Sequence, residues 1–175
     1  MRFQKKGLIF AIAISVCFQT LADSYSIYIV RHAEKQLEGS DPKLTPCGHE
    51  RAKQLAKLLT PANITQVYST TYQRTLSTAQ PTAKKAGVAL KHYSPRGQDQ
   101  LVRVLKQEKK NTLVVGHSNT VTELLTLLAG TRMTQGKTKV PNTIDEKEFH
   151  HLFQVTFTDN GDVISHHWHQ PLSCQ

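Results

Sequence analysis

The chain has 175 residues, 38% of them hydrophobic and 20% charged, and a formal net charge of +9. That length suits one domain with a sizeable core. The basic balance admits an anionic partner, but no dense Lys/Arg stripe with interleaved aromatics accompanies it, so nucleic acid is set aside. Lys84-Lys85 and Lys109-Lys110 read as charges at helix ends. A general attraction for small phosphorylated molecules remains.

The opening residues read as an address. Arg2, Lys5 and Lys6 form a basic stretch, Leu8 to Phe18 an apolar one, and Thr20-Leu21-Ala22 ends on a small residue. The apolar run is shorter than the ~20 residues that a bilayer span needs. The expectation is a signal peptide over 1–22 and a single domain over 23–175. The mature protein would then be periplasmic or secreted, with no stable membrane insertion. An uncleaved anchor is the rival. Cleavage would remove Cys17 and leave Cys47 and Cys174, which in an oxidising compartment either pair or remain as two separate thiols.

In chain order, Ser26 to Val30 is β-branched and aromatic, a short buried strand. Gln36 to Lys43 is a polar loop with Gly39, Asp41 and Pro42. Thr45 caps a helix with Pro46 at its first position, and Ala52, Leu55, Ala56, Leu58 and Leu59 supply its apolar stripe. A strand over Gln66–Ser69 follows. The next helix runs from Tyr72 to about Lys85, with an interruption expected at Pro81 and a stop at Gly87. Val88 to Tyr93 reads as a weaker strand. The turn Pro95-Arg96-Gly97 opens a third helix whose buried face carries Leu101, Val102, Val104 and Leu105.

Thr112 to Val115 is another strand, followed by a helix over Ser118 to Leu128 that Ser118 or Asn119 caps and Gly130 ends. Thr131 to Lys147 is a long polar loop. A fifth strand contains Leu152, Val155 and Phe157. Asp159-Asn160-Gly161-Asp162 is a hairpin turn, and Val163 to Trp168 is the closing strand. Strands alternating with helices predict an α/β fold: one three-layer α/β/α domain, its sheet mainly parallel with a C-terminal antiparallel hairpin.

Chemistry gathers at the strand ends. Arg31, His32, Ala33 and Glu34 follow the first strand, Arg74 lies just beyond the second, and His117 follows Gly116 at the end of the fourth. Ligands of open α/β sheets bind at such carboxyl ends. Arg31-His32-Ala33, then Leu44-Thr45-Pro46-Cys47-Gly48, then Tyr68-Ser69 with Arg74, then Gly116-His117-Ser118 occur in the order of a known family. From about Ser26 to Phe157 the chain resembles the phosphoglycerate-mutase-like branch of the histidine phosphatase superfamily.

Independently of that resemblance, the residues suit phosphoryl transfer. His32 can act as nucleophile, because a neutral imidazole is available at neutral pH from an ordinary pKa of ~6.5. Its attack would give a phosphohistidine that water then hydrolyses. Arg31 and Arg74 can each offer a planar fork to phosphate oxygens, and His117 a further donor. The resemblance implies the same roles for Arg31, His32, Arg74 and His117.

The general acid is open among three sources. One is Asp99, the second is Glu34 beside the nucleophile, and the third is the cluster Asp145, Glu146 and Glu148. If the fifth strand is antiparallel, as the resemblance implies, its start brings the cluster to the catalytic edge. Glu146 and Glu148 are then preferred, against the plainer reading of a loop acidic for solubility.

His150-His151 and His166-His167-Trp168-His169 invite a metal reading. Adjacent strand residues point to opposite faces, so each run offers few convergent ligands, and a surface hairpin is expected with no metal. No cofactor is expected either. The combined expectation is an exported phosphatase acting on small, envelope-derived or extracellular phosphomonoesters through a phosphohistidine on His32. Phosphohistidine-protein phosphatase is an activity that the resemblance also implies. A mutase, a non-catalytic phosphate-binding module of the same fold and a histidine-rich metal-binding protein are the rivals. Oligomeric state is left open.

Overall fold

The computed structural model describes residues 24–130 and 143–171. The expected leader, most of the long polar loop and Cys174 lie outside the described residues. Cys47 is disulfide-bonded.

One six-stranded sheet organises the chain, in the order β3-β2-β4-β1-β5-β6. Its strands are β1 (Tyr25–Arg31), β2 (Gln66–Ser69), β3 (Leu90–His92), β4 (Thr112–Gly116), β5 (His151–Phe157) and β6 (Val163–His169). The first four run parallel; β5 is antiparallel to β1, and β6 to β5. The hairpin between β5 and β6 closes with the Thr158 amide donating to the Asp162 carbonyl at 3.0 Å. The expected mixed sheet with its terminal hairpin is the one observed.

Four helices cover the two faces: α1 (Pro46–Leu58), α2 (Gln73–Ala86), α3 (Gln98–Glu108) and α4 (Ser118–Ala129). On one face Leu55, Ala79 and Ala83 pack on Val30, Val67, Leu113 and Val115. On the other, Leu101, Leu105, Leu124 and Leu125 pack on Ile27, Ile29, Val114 and Phe153. The central strand β4 is buried at every position, as a strand covered on both sides must be. Each fully buried aliphatic side chain contributes roughly 1.5–3 kcal/mol.

The start of α1 explains one of the quoted motifs. Thr45 caps α1 by accepting from the Gly48 amide at 3.1 Å, with Pro46 at the first position. A Cβ on Gly48 would fall 2.2 Å from the Glu34 carbonyl oxygen, so only glycine lets α1 approach the strand end this closely. Gly87, at φ +67°, ends α2 as expected. Pro81 does not interrupt that helix: α2 runs through it without a break. Ala79, Thr82 and Ala83 bury its inner face, and that packing outweighs the local cost of the lost hydrogen bond.

Candidate active site

The register of β1 against β4 builds the centre of the site. Arg31 pairs with Gly116, so the next residues, His32 and His117, leave neighbouring strands side by side. Their rings lie 5.7 Å apart at 66°. The His32 amide donates to the Gly116 carbonyl at 2.9 Å, locking the two strand ends together. Gly116 has to be small, because a Cβ there would fall 2.7 Å from the Thr120 hydroxyl and 2.8 Å from that of Tyr93.

His32 is 3% exposed, and its Nδ1 lies 2.8 Å from the Ala33 carbonyl. A carbonyl only accepts, so Nδ1 carries the proton and Nε2 keeps its lone pair. Burial first, then the charges of Arg31 and Arg74, lower the His32 pKa to about 3. Thr78 of α2 holds the adjoining backbone, its hydroxyl accepting from the Ala33 amide at 2.9 Å.

His117 is set by a relay of hydroxyls. Thr75 donates to the Tyr72 carbonyl at 2.8 Å, leaving its oxygen to accept from Thr70 at 2.8 Å. Thr70 in turn accepts from His117 Nε2 at 3.0 Å. Burial, then Arg74 and Arg31, bring the His117 pKa down to about 4. His117, rather than Ser118 or Asn119, occupies the N-cap position of α4, and its amide donates to Thr120 Oγ1 at 2.9 Å. The Ser118 hydroxyl is turned instead to Glu146.

The two arginines differ. Arg31 is 2% exposed and its fork is already engaged. Nη1 donates to the carbonyls of Asp145 at 2.7 Å and Glu148 at 3.2 Å, and Nη2 to Glu146 Oε2 at 2.6 Å. Its guanidinium also stacks on Phe149 at 4.5 Å. Arg74, in the first turn of α2, stacks on Tyr72 at 4.5 Å and touches Asp41 at 3.4 Å. Asp41 also accepts from the Gln73 amide at 3.0 Å, capping α2 from the polar loop. Both arginines leave a buried Nε without a partner among the described residues. Arg74 lines the pocket with the neutral imidazole of His32, a place that an anion would complete.

The candidate acids are separated by the fold. Glu146 lines the pocket with His32, Arg74 and His117. Burial opposes its ionisation, but the Ser118 hydroxyl and the Arg31 charge prevail and hold its carboxyl below the usual range. Glu148 turns its carboxylate to His151 Nε2 at 3.1 Å and contributes only its carbonyl to Arg31. The Asp145 carboxylate accepts from the Lys147 amide. Glu34 is committed to Arg51, which donates to it at 2.6 and 2.8 Å. Asp99 is exposed in the first turn of α3 and lies outside the pocket lining.

The pocket encloses about 360 Å³, and Lys35 and Arg96 join Arg74 in its wall. Sequence reasoning missed Lys35, Arg96, Tyr72, Asp41 and the Thr70–Thr75 relay. Tyr72 lies between Ser69 and Arg74 of a quoted motif, while Arg96 and Asp41 are single residues in polar turns with no pattern to mark them. A wider groove between α1 and α2, lined by Lys53, Lys57, Lys84 and Lys85, lies away from the strand ends.

Comparison with known proteins meets this geometry at one point. The histidine phosphatase superfamily, branch 1, matches residues 27–96. That span holds Arg31, His32 and Arg74 and stops short of His117, a narrower match than the motif order implied. The mycobacterial glucosyl-3-phosphoglycerate phosphatase superposes with a TM-score of 0.60 at 11% identity, over 86% of this chain and 100% of that one. The protein histidine phosphatase SixA, bound to tungstate, gives 0.57 at 17% identity, over 83% and 96%. A candidate alpha-ribazole-5'-P phosphatase from Escherichia coli K-12 gives 0.64 at 13% identity, over 86% and 99%. The fold is therefore that of histidine phosphatases. No curated protein sequence matches the chain.

Proposed function

We propose that the chain is a histidine phosphatase, exported to the periplasm or beyond, that hydrolyses small phosphomonoesters through a phosphohistidine on His32. One observation carries this reading. His32 is held neutral, with its proton on Nδ1 and its lone pair on Nε2, in the field of Arg31 and Arg74, whose buried Nε donors have no partner among the described residues. A nucleophile and an anion clamp are then present before substrate arrives.

The phosphoryl group takes the donors of Arg74 and Arg31 and displaces the Glu146 carboxylate from the Arg31 fork. Freed from its cation and facing a dianion, Glu146 rises in pKa and takes up a proton. His32 Nε2 attacks phosphorus in line, the P–O bond breaks, and Glu146 gives its proton to the leaving oxygen. The alcohol departs. Glu146, again a carboxylate, accepts a proton from water as that water attacks the phosphohistidine, releasing inorganic phosphate and neutral His32. His117, on the neighbouring strand, supports the phosphoryl oxygens once its Nε2–H turns to them from Thr70.

A cavity of about 360 Å³ with cationic walls suits a phosphorylated small molecule such as a sugar phosphate of the cell envelope. A non-catalytic phosphate-binding module would keep this pocket and show no turnover. Rapid quench with a labelled aryl phosphate tests the reading. An acid-labile, base-stable adduct should map to the peptide containing Val30 to Glu34 and vanish in His32→Ala. An adduct on His117, or full turnover in His32→Ala, overturns the mechanism; no turnover at all in the wild type leaves the binding module.

A further inference from the structure

Most of the chain's histidines lie outside this pocket, at the open edge of the sheet. Alternation does separate neighbours within each run, but it does not govern how the runs meet. The register of β5 and β6 sets His151 opposite His169 and Phe153 opposite His167, and cross-strand partners share a face. His150 precedes β5, so alternation does not bind it. Its ring lies 4.3 Å from that of His151 and 4.7 Å from that of His169. One ring nitrogen each from His150, His151 and His169 forms a set whose members all lie within 4.8 Å of one another.

A carboxylate completes the arrangement. Glu148 lies 3.1 Å from His151 Nε2, which places the proton there and leaves a lone pair on Nδ1. His167 Nε2 stands 2.8 Å from that Nδ1. Four imidazoles and one carboxylate on a hairpin are more than a solubilising edge needs. A metal-ligating histidine almost always gives its second ring N–H to a carboxylate, carbonyl or water, and His151 with Glu148 has that arrangement.

We propose that His150, His151 and His169 bind one divalent transition-metal ion, Zn²⁺ being the reference case, outside the phosphate pocket. Imidazole nitrogens without thiolates select zinc, copper or nickel over magnesium and calcium, which prefer oxygen. Nitrogens bound at ~2.0–2.1 Å in a tetrahedral site lie roughly 3.3 Å apart, so the rings have to close by about 1.5 Å. Side-chain rotation at half-buried and exposed positions allows that. Water or His167 supplies the fourth ligand, and Glu148 acts through His151 as a positioning residue. The ion would staple the edge strand β6 to the segment whose Asp145 and Glu148 carbonyls hold Arg31. This inference does not rest on the phosphatase reading.

The test uses untagged protein stripped with chelator and titrated calorimetrically with ZnCl₂ and, separately, MgCl₂. Wild type should bind one equivalent of Zn²⁺ and no Mg²⁺. His169→Ala should weaken Zn²⁺ binding at least tenfold, while His166→Ala, on the opposite face of β6, should not change it. Equal affinity in wild type and His169→Ala, or equal loss in His166→Ala, overturns the proposal. Loading with Co²⁺ gives a second readout in the wild type itself. Strong visible bands of a four-coordinate nitrogen site are expected, and the weak spectrum of hydrated Co²⁺ would also overturn it.

Discussion

The carboxylate of Glu146 sits 2.6 Å from a guanidinium nitrogen of Arg31 and 2.8 Å from the Ser118 hydroxyl, in the wall of the pocket that holds His32. The Glu146 carboxylate thus occupies donors that a phosphoryl group would use. Glu146→Gln removes both the competing charge and the proton carried to the leaving group. Turnover of an alkyl phosphate should fall by about 10²–10³, and that of an activated aryl phosphate much less, because a good leaving group needs no acid. Inorganic phosphate should inhibit the variant at least as tightly as the wild type. Steady-state kinetics with both substrates decide it: an equal fall for the two would remove Glu146 from the acid role.

The arginines should separate in their effects. Lysine keeps the charge of either but loses the fork, and one oriented donor lost at the transition state costs ~3 kcal/mol, about a hundredfold in rate. Arg74→Lys should show that loss with a melting temperature near wild type, since its one carboxylate contact is a 3.4 Å approach to Asp41. Arg31→Lys should lose activity and also melt lower, because Arg31 binds the carbonyls of Asp145 and Glu148. Wild-type rates in both variants would take the clamp out of the mechanism.

Acid pH offers a test of the buried imidazoles. His32 is held at about 3 and His117 at about 4, both below the ordinary 6.5. A depressed folded value means that the unfolded chain binds more protons in this window. Stability from these two groups is therefore complete above about pH 6.5 and declines as pH falls toward 4 and then 3. Thermal melts from pH 7.5 to 4 should show a decline that is shallower, though not absent, in the His32→Ala/His117→Ala double variant, because His150 and His167 are depressed by burial as well. For the same reason kcat/KM should show no His32 titration near pH 6.5. The substrate's own second phosphate ionisation lies at about pH 6, so the test is direct NMR titration of the His32 ring, where a midpoint at about 6.5 would mean that it titrates as an exposed histidine.

Gly48 tests the approach of α1 to the strand end. In Gly48→Ala the new methyl group would meet the Glu34 carbonyl at 2.2 Å, a backbone atom that cannot rotate away. Overpacking of this kind typically costs ~1–3 kcal/mol. Urea denaturation should show a lower midpoint with an unchanged slope, while an unchanged midpoint would mean that α1 shifts freely.

What the amino-acid order determined by itself was local. The β-branched run before Arg31, Thr45-Pro46 at the start of α1, Gly87 beyond α2 and Asn160-Gly161 between the last strands each carry their meaning in a few neighbouring side chains. Because strands of an open sheet end at one edge, His32, Arg74 and His117 could be placed together from their positions alone. Tertiary structure decided whatever depended on partners distant in sequence. Pro81 stays helical because α2 is pinned along its buried face. Of two acids two residues apart, Glu146 enters the pocket and Glu148 turns to a histidine, because Arg31 holds the carbonyls of Asp145 and Glu148. The histidine runs meet through a cross-strand register that neither run encodes by itself. Burial, which sets the ionisation of His32 and His117, exists only once four helices have closed over the sheet, so the charge state of the chemistry could be assigned only from the folded chain.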